Sequence, residues 1–122
     1  MARVLVIDDD EQVLDMLYES LTREGYDVLR ASNGEEGMRL YREDSVDLII
    51  TDLIMPEKEG IETIIELRQD FPDVKIIAIS GGGRIGTKDY LKMAEIFGVQ
   101  RTFTKPVARE QLLDAIRELI KE

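Results

Sequence analysis

The sequence predicts an α/β fold: a five-stranded, doubly wound parallel sheet in the order 2-1-3-4-5, within one domain of residues 1–122. Three observations predict it. Short apolar segments alternate five times with segments whose apolar residues recur at helical spacing. Three of the short segments, VLVI, VDLII and KIIAIS, are apolar almost throughout, as strands covered on both faces of a parallel sheet are. The other two, DVLRA and QRTFTK, alternate more and suit the sheet edges.

The elements follow in order. Val4–Ile7 is the first strand. Leu14, Leu17, Tyr18 and Leu21 form one face of the first helix, which Gly25 stops. Asp27–Ala31 is the second strand. Ser32-Asn-Gly-Glu35 has the form of a capping box opening the second helix, with Gly37, Met38 and Tyr41 facing inward. Val46–Ile50 is the third strand, continuing through Thr51 to Asp52. Ile61, Ile64 and Ile65 mark the third helix, closed before Pro72. Lys75–Ser80 is the fourth strand. Tyr90, Met93, Ala94 and Phe97 are spaced for the fourth helix. Gln100–Lys105 is the fifth strand, and Leu112, Leu113, Ile116 and Ile120 line the last helix.

Composition narrows the chemistry. The 122 residues fit one domain, and a chain of that size buries enough surface to need no covalent staple. There is no Cys, so disulfides and thiolate metal sites are excluded. There is no His, which removes the commonest general base and any phosphohistidine on this chain. The net charge of −10 opposes direct nucleic-acid binding. The opening apolar run is too short for a signal segment or a membrane span, so a cytoplasmic location is expected.

The acids are not scattered evenly. The first strand runs straight into Asp8, Asp9 and Asp10. In a 2-1-3-4-5 sheet, ligands sit at the carboxyl ends of the strands near the switch between strands one and three. Topology therefore brings Asp8, Asp9 and Asp52 to one crevice, with Ser80 and Lys105 ending the strands beyond. Three carboxylates at one point are tolerable around a hard cation, and Mg²⁺ takes oxygen ligands of this kind. A carboxylate can also attack phosphorus to form an acyl phosphate. Lys105 supplies positive charge and Ser80 a hydroxyl donor to a phosphoryl oxygen.

These stretches, VLVIDDDEQVL, DLIITDLIMPEKEG, IIAIS and FTKP, closely resemble the receiver domain of bacterial two-component response regulators. The resemblance covers the whole chain and implies a flavodoxin-like (βα)5 receiver fold. It implies Asp52 as phosphoacceptor, and Asp8, Asp9 and Asp52 as Mg²⁺ ligands together with the backbone carbonyl of Ile54. It implies Ser80 as a switch hydroxyl, Lys105 as the phosphoryl contact, Gly60 as the glycine of the loop after the acceptor, and a cis peptide bond before Pro106. Asp10 and Glu11 fall outside this site and begin the first helix, where negative charge suits the helix dipole.

Rival motifs read less well. GGGRIG, Gly81–Gly86, matches the dinucleotide fingerprint literally, but follows the fourth strand instead of the first. It also approaches a P-loop, yet Thr87-Lys88 reverses the required order. A haloacid-dehalogenase-like phosphatase would use Asp8 as nucleophile, since Asp8-Asp9-Asp10 satisfies its D-x-D opening. That family explains Asp52, Ser80 and Lys105 less economically, and the chain carries no cap insertion.

The resemblance implies phosphorelay signalling by a switch that is not a metabolic enzyme. The phosphoryl group comes from a sensor histidine kinase or histidine phosphotransfer protein. The chain catalyses its own phosphorylation and slow dephosphorylation. Phosphorylation reshapes the face made by the fourth helix, fifth strand and fifth helix, which controls a downstream target or an effector domain missing from this chain. A stand-alone adaptor or phosphorelay carrier is the alternative. No membrane contact is expected, and the state is a monomer or a weak phosphorylation-dependent dimer. Two departures from the family stand out. Thr102 occupies the position of its usual switch aromatic, while Phe103 beside it points to the core. Gly81–Gly83 make the loop after the fourth strand loose until phosphorylation orders it. Ile54 and Gly82 flank the acceptor where side chains tune hydrolysis of the acyl phosphate, with opposing effects.

Overall fold

A computed structural model describes residues 2–53, 60–80, 92 and 95–120, with only the backbone of residues 60 and 61. Strands β1 (Arg3–Ile7), β2 (Asp27–Ala31), β3 (Leu48–Asp52), β4 (Ile76–Ser80) and β5 (Arg101–Thr104) form one sheet in the order β2-β1-β3-β4-β5. Every neighbouring pair is parallel. The helices are α1 (Glu11–Arg23), α2 (Gly34–Glu43), α3 (Gly60–Asp70) and α4 (Arg109–Leu119). The sequence also predicts a helix over residues 90–97. There Lys92, Glu95 and Ile96 are helical, while Tyr90, Met93 and Ala94 lie outside the described residues.

Alternation along the strands sorts the core into two layers. Val4 and Val6, Leu48 and Ile50, and Ile77 and Ile79 pack under α1 and α4 with Leu14, Leu17, Leu21, Leu112, Leu113 and Ile116. Leu5 and Ile7, Ile49 and Leu53, and Ile76 and Ala78 pack under α2 and α3 with Met38, Ile64 and Leu67. Every residue of β3 and β4 is buried, which is why those strands lack polar alternation. The edge strands β2 and β5 are only partly buried.

Four details correct the sequence reading. β3 starts two residues later, because Asp47 accepts from the Arg3 amide through its side chain (2.8 Å) while the ladder begins at Val4 and Leu48. The cap of α2 is Asn33 and not Ser32: the Asn33 side chain accepts from the Glu36 amide at 2.8 Å. Tyr18 is exposed on α1, with the Arg30 guanidinium 5.4 Å from its ring centre. β5 is one residue shorter at each end, although Gln100 and Lys105 still donate backbone bonds to Ile76 and Ser80. Gly25 does stop α1. Its φ is +93°, its amide donates to Thr22 and the Tyr26 amide to Leu21, the double bond pattern of a glycine-terminated helix.

Candidate functional site

The site stands where β1 and β3 end side by side. Ile7 pairs with Thr51, so Asp8 and Asp52 emerge next to each other on the α1/α4 side of the sheet. Asp8 and Asp52 are buried, at 2% and 6% exposure, whereas Asp9 is exposed. Each of the three offers a carboxylate oxygen, and these oxygens lie within 4.8 Å of one another. Lys105 enters from the end of β5, held by its backbone bond to Ser80 at 2.7 Å. Its ammonium lies 3.0 Å from Asp8 and 3.2 Å from Asp52. The Lys105–Pro106 peptide bond is cis.

Charge and burial set the protonation states. Burial pushes the Asp8 carboxyl up to about 6, helped by the neighbouring charge of Asp52. The Asp10 amide, donating to Asp8 at 2.9 Å, and Lys105 both work against that rise. Burial disfavours the Lys105 ammonium, but hydrogen bonds and charge from Asp8 and Asp52 outweigh it and hold its pKa above the ordinary value. Among the described residues one ammonium stands in this cluster of three carboxylates, which leaves the cluster with excess negative charge. An all-oxygen donor set with that excess fits a hard divalent cation and does not fit a soft one.

Ser80 ends β4 at the next step of the register. Asp52 pairs with Ile79, and Ser80 with Thr104. Its hydroxyl is fully buried and, among the described residues, has no hydrogen-bond partner. Asp10 stands apart from the site and caps α1 by accepting from the Gln12 amide at 2.9 Å, with Glu11 in the first turn. Phe103 packs into the α1/α4 layer, as its position beside Thr102 predicts. Ile54 and Gly81–Gly86 lie outside the described residues, and with them the expected carbonyl ligand, the glycine-rich loop and the residues flanking the acceptor. The sequence assigns Thr51 no role in the site. It is a fully buried polar side chain that donates to the backbone carbonyl of Asp52. The signal was a lone hydroxyl ending an apolar strand.

A parallel 2-1-3-4-5 sheet with acids at the switch point and a lysine just past β5 defines a doubly wound domain with an acidic site at the strand ends, and comparison makes the family explicit. The family model for the response regulator receiver domain matches residues 4–117, and the chain belongs to that family. YrkP of Bacillus subtilis, an uncharacterized transcriptional regulatory protein, is 41% identical over 110 residues, covering 90% of this chain and 46% of that protein. A receiver domain protein from Clostridium thermocellum superposes with a TM-score of 0.90 at 33% identity, covering 98% of this chain and 94% of that one. The response regulator TrrA of Thermotoga maritima, solved in complex with Mg²⁺ and beryllium fluoride, superposes with a TM-score of 0.86 at 29% identity, covering 98% and 100%. The chain spans between 27% and 50% of the length of the curated relatives it matches. It is thus homologous to response regulators of two-component phosphorelay signalling, with Asp52 in the expected phosphorylation position. The match puts Asp52, and not Asp8, at the family's expected phosphorylation position.

Proposed function

We propose that this chain is a Mg²⁺-dependent phosphoacceptor switch, receiving a phosphoryl group on Asp52 from the phosphohistidine of a sensor kinase or a histidine phosphotransfer protein. The observation that carries the proposal is the buried Asp52 carboxylate at the end of β3, 3.2 Å from the Lys105 ammonium and beside Asp8 and Asp9. An Asp52 oxygen attacks phosphorus, the P–N bond breaks, and its electron pair leaves with the donor imidazole, which takes up a proton. Lys105 holds positive charge against a phosphoryl oxygen, and its ion pairs to Asp8 and Asp52 keep it in place beforehand. Ser80 offers the acyl phosphate a donor that has no other partner among the described residues. When bound by Asp8, Asp9, Asp52 and the Ile54 carbonyl, Mg²⁺ would neutralise charge on the transferring group.

Phosphorylation adds about −1.5 to −2 charges at one point. An oxygen-rich group beside Ser80 gives its hydroxyl a partner only in the phosphorylated state, so the β4 end differs in energy between the two. Each tenfold bias of such a two-state equilibrium takes about 1.4 kcal/mol of differential stabilisation. The output is a changed surface around β5 and α4 that a target protein or an effector domain reads. The chain acts as a signalling module, and the same chemistry serves an adaptor or phosphorelay carrier. Among the described residues no helix is long and apolar enough to cross a membrane; a cytoplasmic location is proposed with the signalling role.

Intact mass after incubation with Mg²⁺ and acetyl phosphate tests the proposal. The parent chain gains one phosphoryl group and Asp52→Asn gains none. An adduct of equal yield on Asp52→Asn would refute Asp52 as acceptor, and phosphatase turnover abolished by Asp8→Asn would favour the hydrolase.

A further inference from the structure

β3 is apolar until its last two residues. Asp52 is accounted for by its chemistry, but Thr51 is not. It is fully buried, and its register neighbours are Ile7 on β1 and Ala78 on β4, both apolar residues of the α2/α3 layer. A valine would fill the same space without desolvating a hydroxyl. The Thr51 hydroxyl instead donates to the backbone carbonyl of Asp52 at 3.0 Å. The ladder to β1 ends at the Ile7–Thr51 pair, one residue short of Asp52. On the other side, the Leu53 amide donates to Ile79 at 2.9 Å. The peptide unit that follows Asp52 is therefore held at both ends, its carbonyl by Thr51 and its N–H by β4.

We infer that Thr51 is a positioning residue for phosphoryl transfer: its hydroxyl fixes the backbone of Asp52 and so aims the carboxylate on the opposite face of the strand. The inference rests on the phosphoacceptor reading above. A nucleophile that swings by a fraction of an ångström loses rate steeply, because the bound geometry must already approach the attack geometry. Thr51 acts only through the main chain. Its loss therefore affects transfer and spares the charges of Asp8, Asp9 and Lys105.

The test follows phosphoryl uptake from acetyl phosphate by intact mass at saturating Mg²⁺, with thermal melts alongside, for the parent, Thr51→Val, Thr51→Ala and Thr51→Ser. Uptake slows about tenfold in Thr51→Val and Thr51→Ala, while Thr51→Ser, which keeps the donor, stays within about twofold of the parent at a temperature where all are folded. Uptake by Thr51→Val at the parental rate overturns the inference, and so does Thr51→Ser as slow as Thr51→Val. If Thr51→Val does not fold, Thr51→Ala against Thr51→Ser decides by the same criterion. A parent that takes up no phosphate overturns the phosphoacceptor reading and this inference with it. A parent that is phosphorylated beside an equally fast Thr51→Val overturns this inference alone.

Discussion

Asp8 shows how a buried carboxylate weakens the fold that carries it. Its carboxyl ionises at about 6 in the fold against 3.8 ordinarily, because burial disfavours the charge. Below about pH 3 it is protonated in folded and unfolded chains alike, at no cost to folding. As pH rises toward 6 the unfolded chain releases this proton first. Its contribution to stability therefore falls, by on the order of 2–3 kcal/mol in total. Asp8→Asn in the metal-free protein should thus match the parent near pH 3 and exceed its stability by about that amount at pH 7, measured by urea unfolding in chelator. A constant difference across the range would show that Asp8 carries no such cost. Ser80 makes the complementary case. Its hydroxyl, without a partner among the described residues, costs about 1–2 kcal/mol, so Ser80→Ala should stabilise the unphosphorylated protein by about 1 kcal/mol. A destabilised Ser80→Ala would mean that the hydroxyl has a partner.

At the scale of elements, the helix ends carry the clearest local physics. Gly25 has nothing within 4 Å of where a Cβ would stand, yet its φ is +93°. Gly25→Ala therefore suffers only a conformational penalty, about 1 kcal/mol, readable as a lowered melting temperature with unchanged phosphoryl uptake. Gly37 is the opposite kind of glycine. A Cβ there would overlap the Ile7 side chain, so this glycine lets α2 lie close on β1. The α2 cap falls on Asn33 because its carbonyl oxygen reaches the Glu36 amide; Ser32, a residue earlier and also a good cap by type, lost to geometry.

The Asp8–Asp52–Lys105 cluster and the Arg68 network lie at opposite ends of the sheet. At the N-terminal end of β4, Arg68 of α3 donates to the carbonyls of Pro72 and Phe97 at 3.0 Å, and to those of Val74 and Gly98. The guanidinium thereby ties the α3–β4 turn to the segment entering β5. Arg68→Met leaves those acceptors unsatisfied and should cost about 3 kcal/mol by urea unfolding. Because the clamp is remote from Asp52, the folded variant should take up phosphate at the parental rate. A parental unfolding midpoint would show that water replaces the guanidinium without loss.

The number and order of strands, their edge or central place, the helix stop at Gly25, and the strand-end positions of Asp8, Asp52, Ser80 and Lys105 are all legible in the residues alone. These are legible because burial on one or both faces writes itself into local periodicity, and because chain order plus a parallel sheet leaves few topologies. Only the tertiary structure decided where β3 starts, which of Ser32 and Asn33 caps α2, and that Tyr18 meets Arg30 on the surface, since each depends on a partner distant in the chain or on the angle at which it arrives. It alone decided that Lys105 bridges Asp8 and Asp52, that the Ser80 hydroxyl lacks a partner among the described residues and that Thr51 holds the Asp52 carbonyl. Hydrogen bonds and ion pairs are settled over a few ångströms, and residue type and spacing do not encode distances that short.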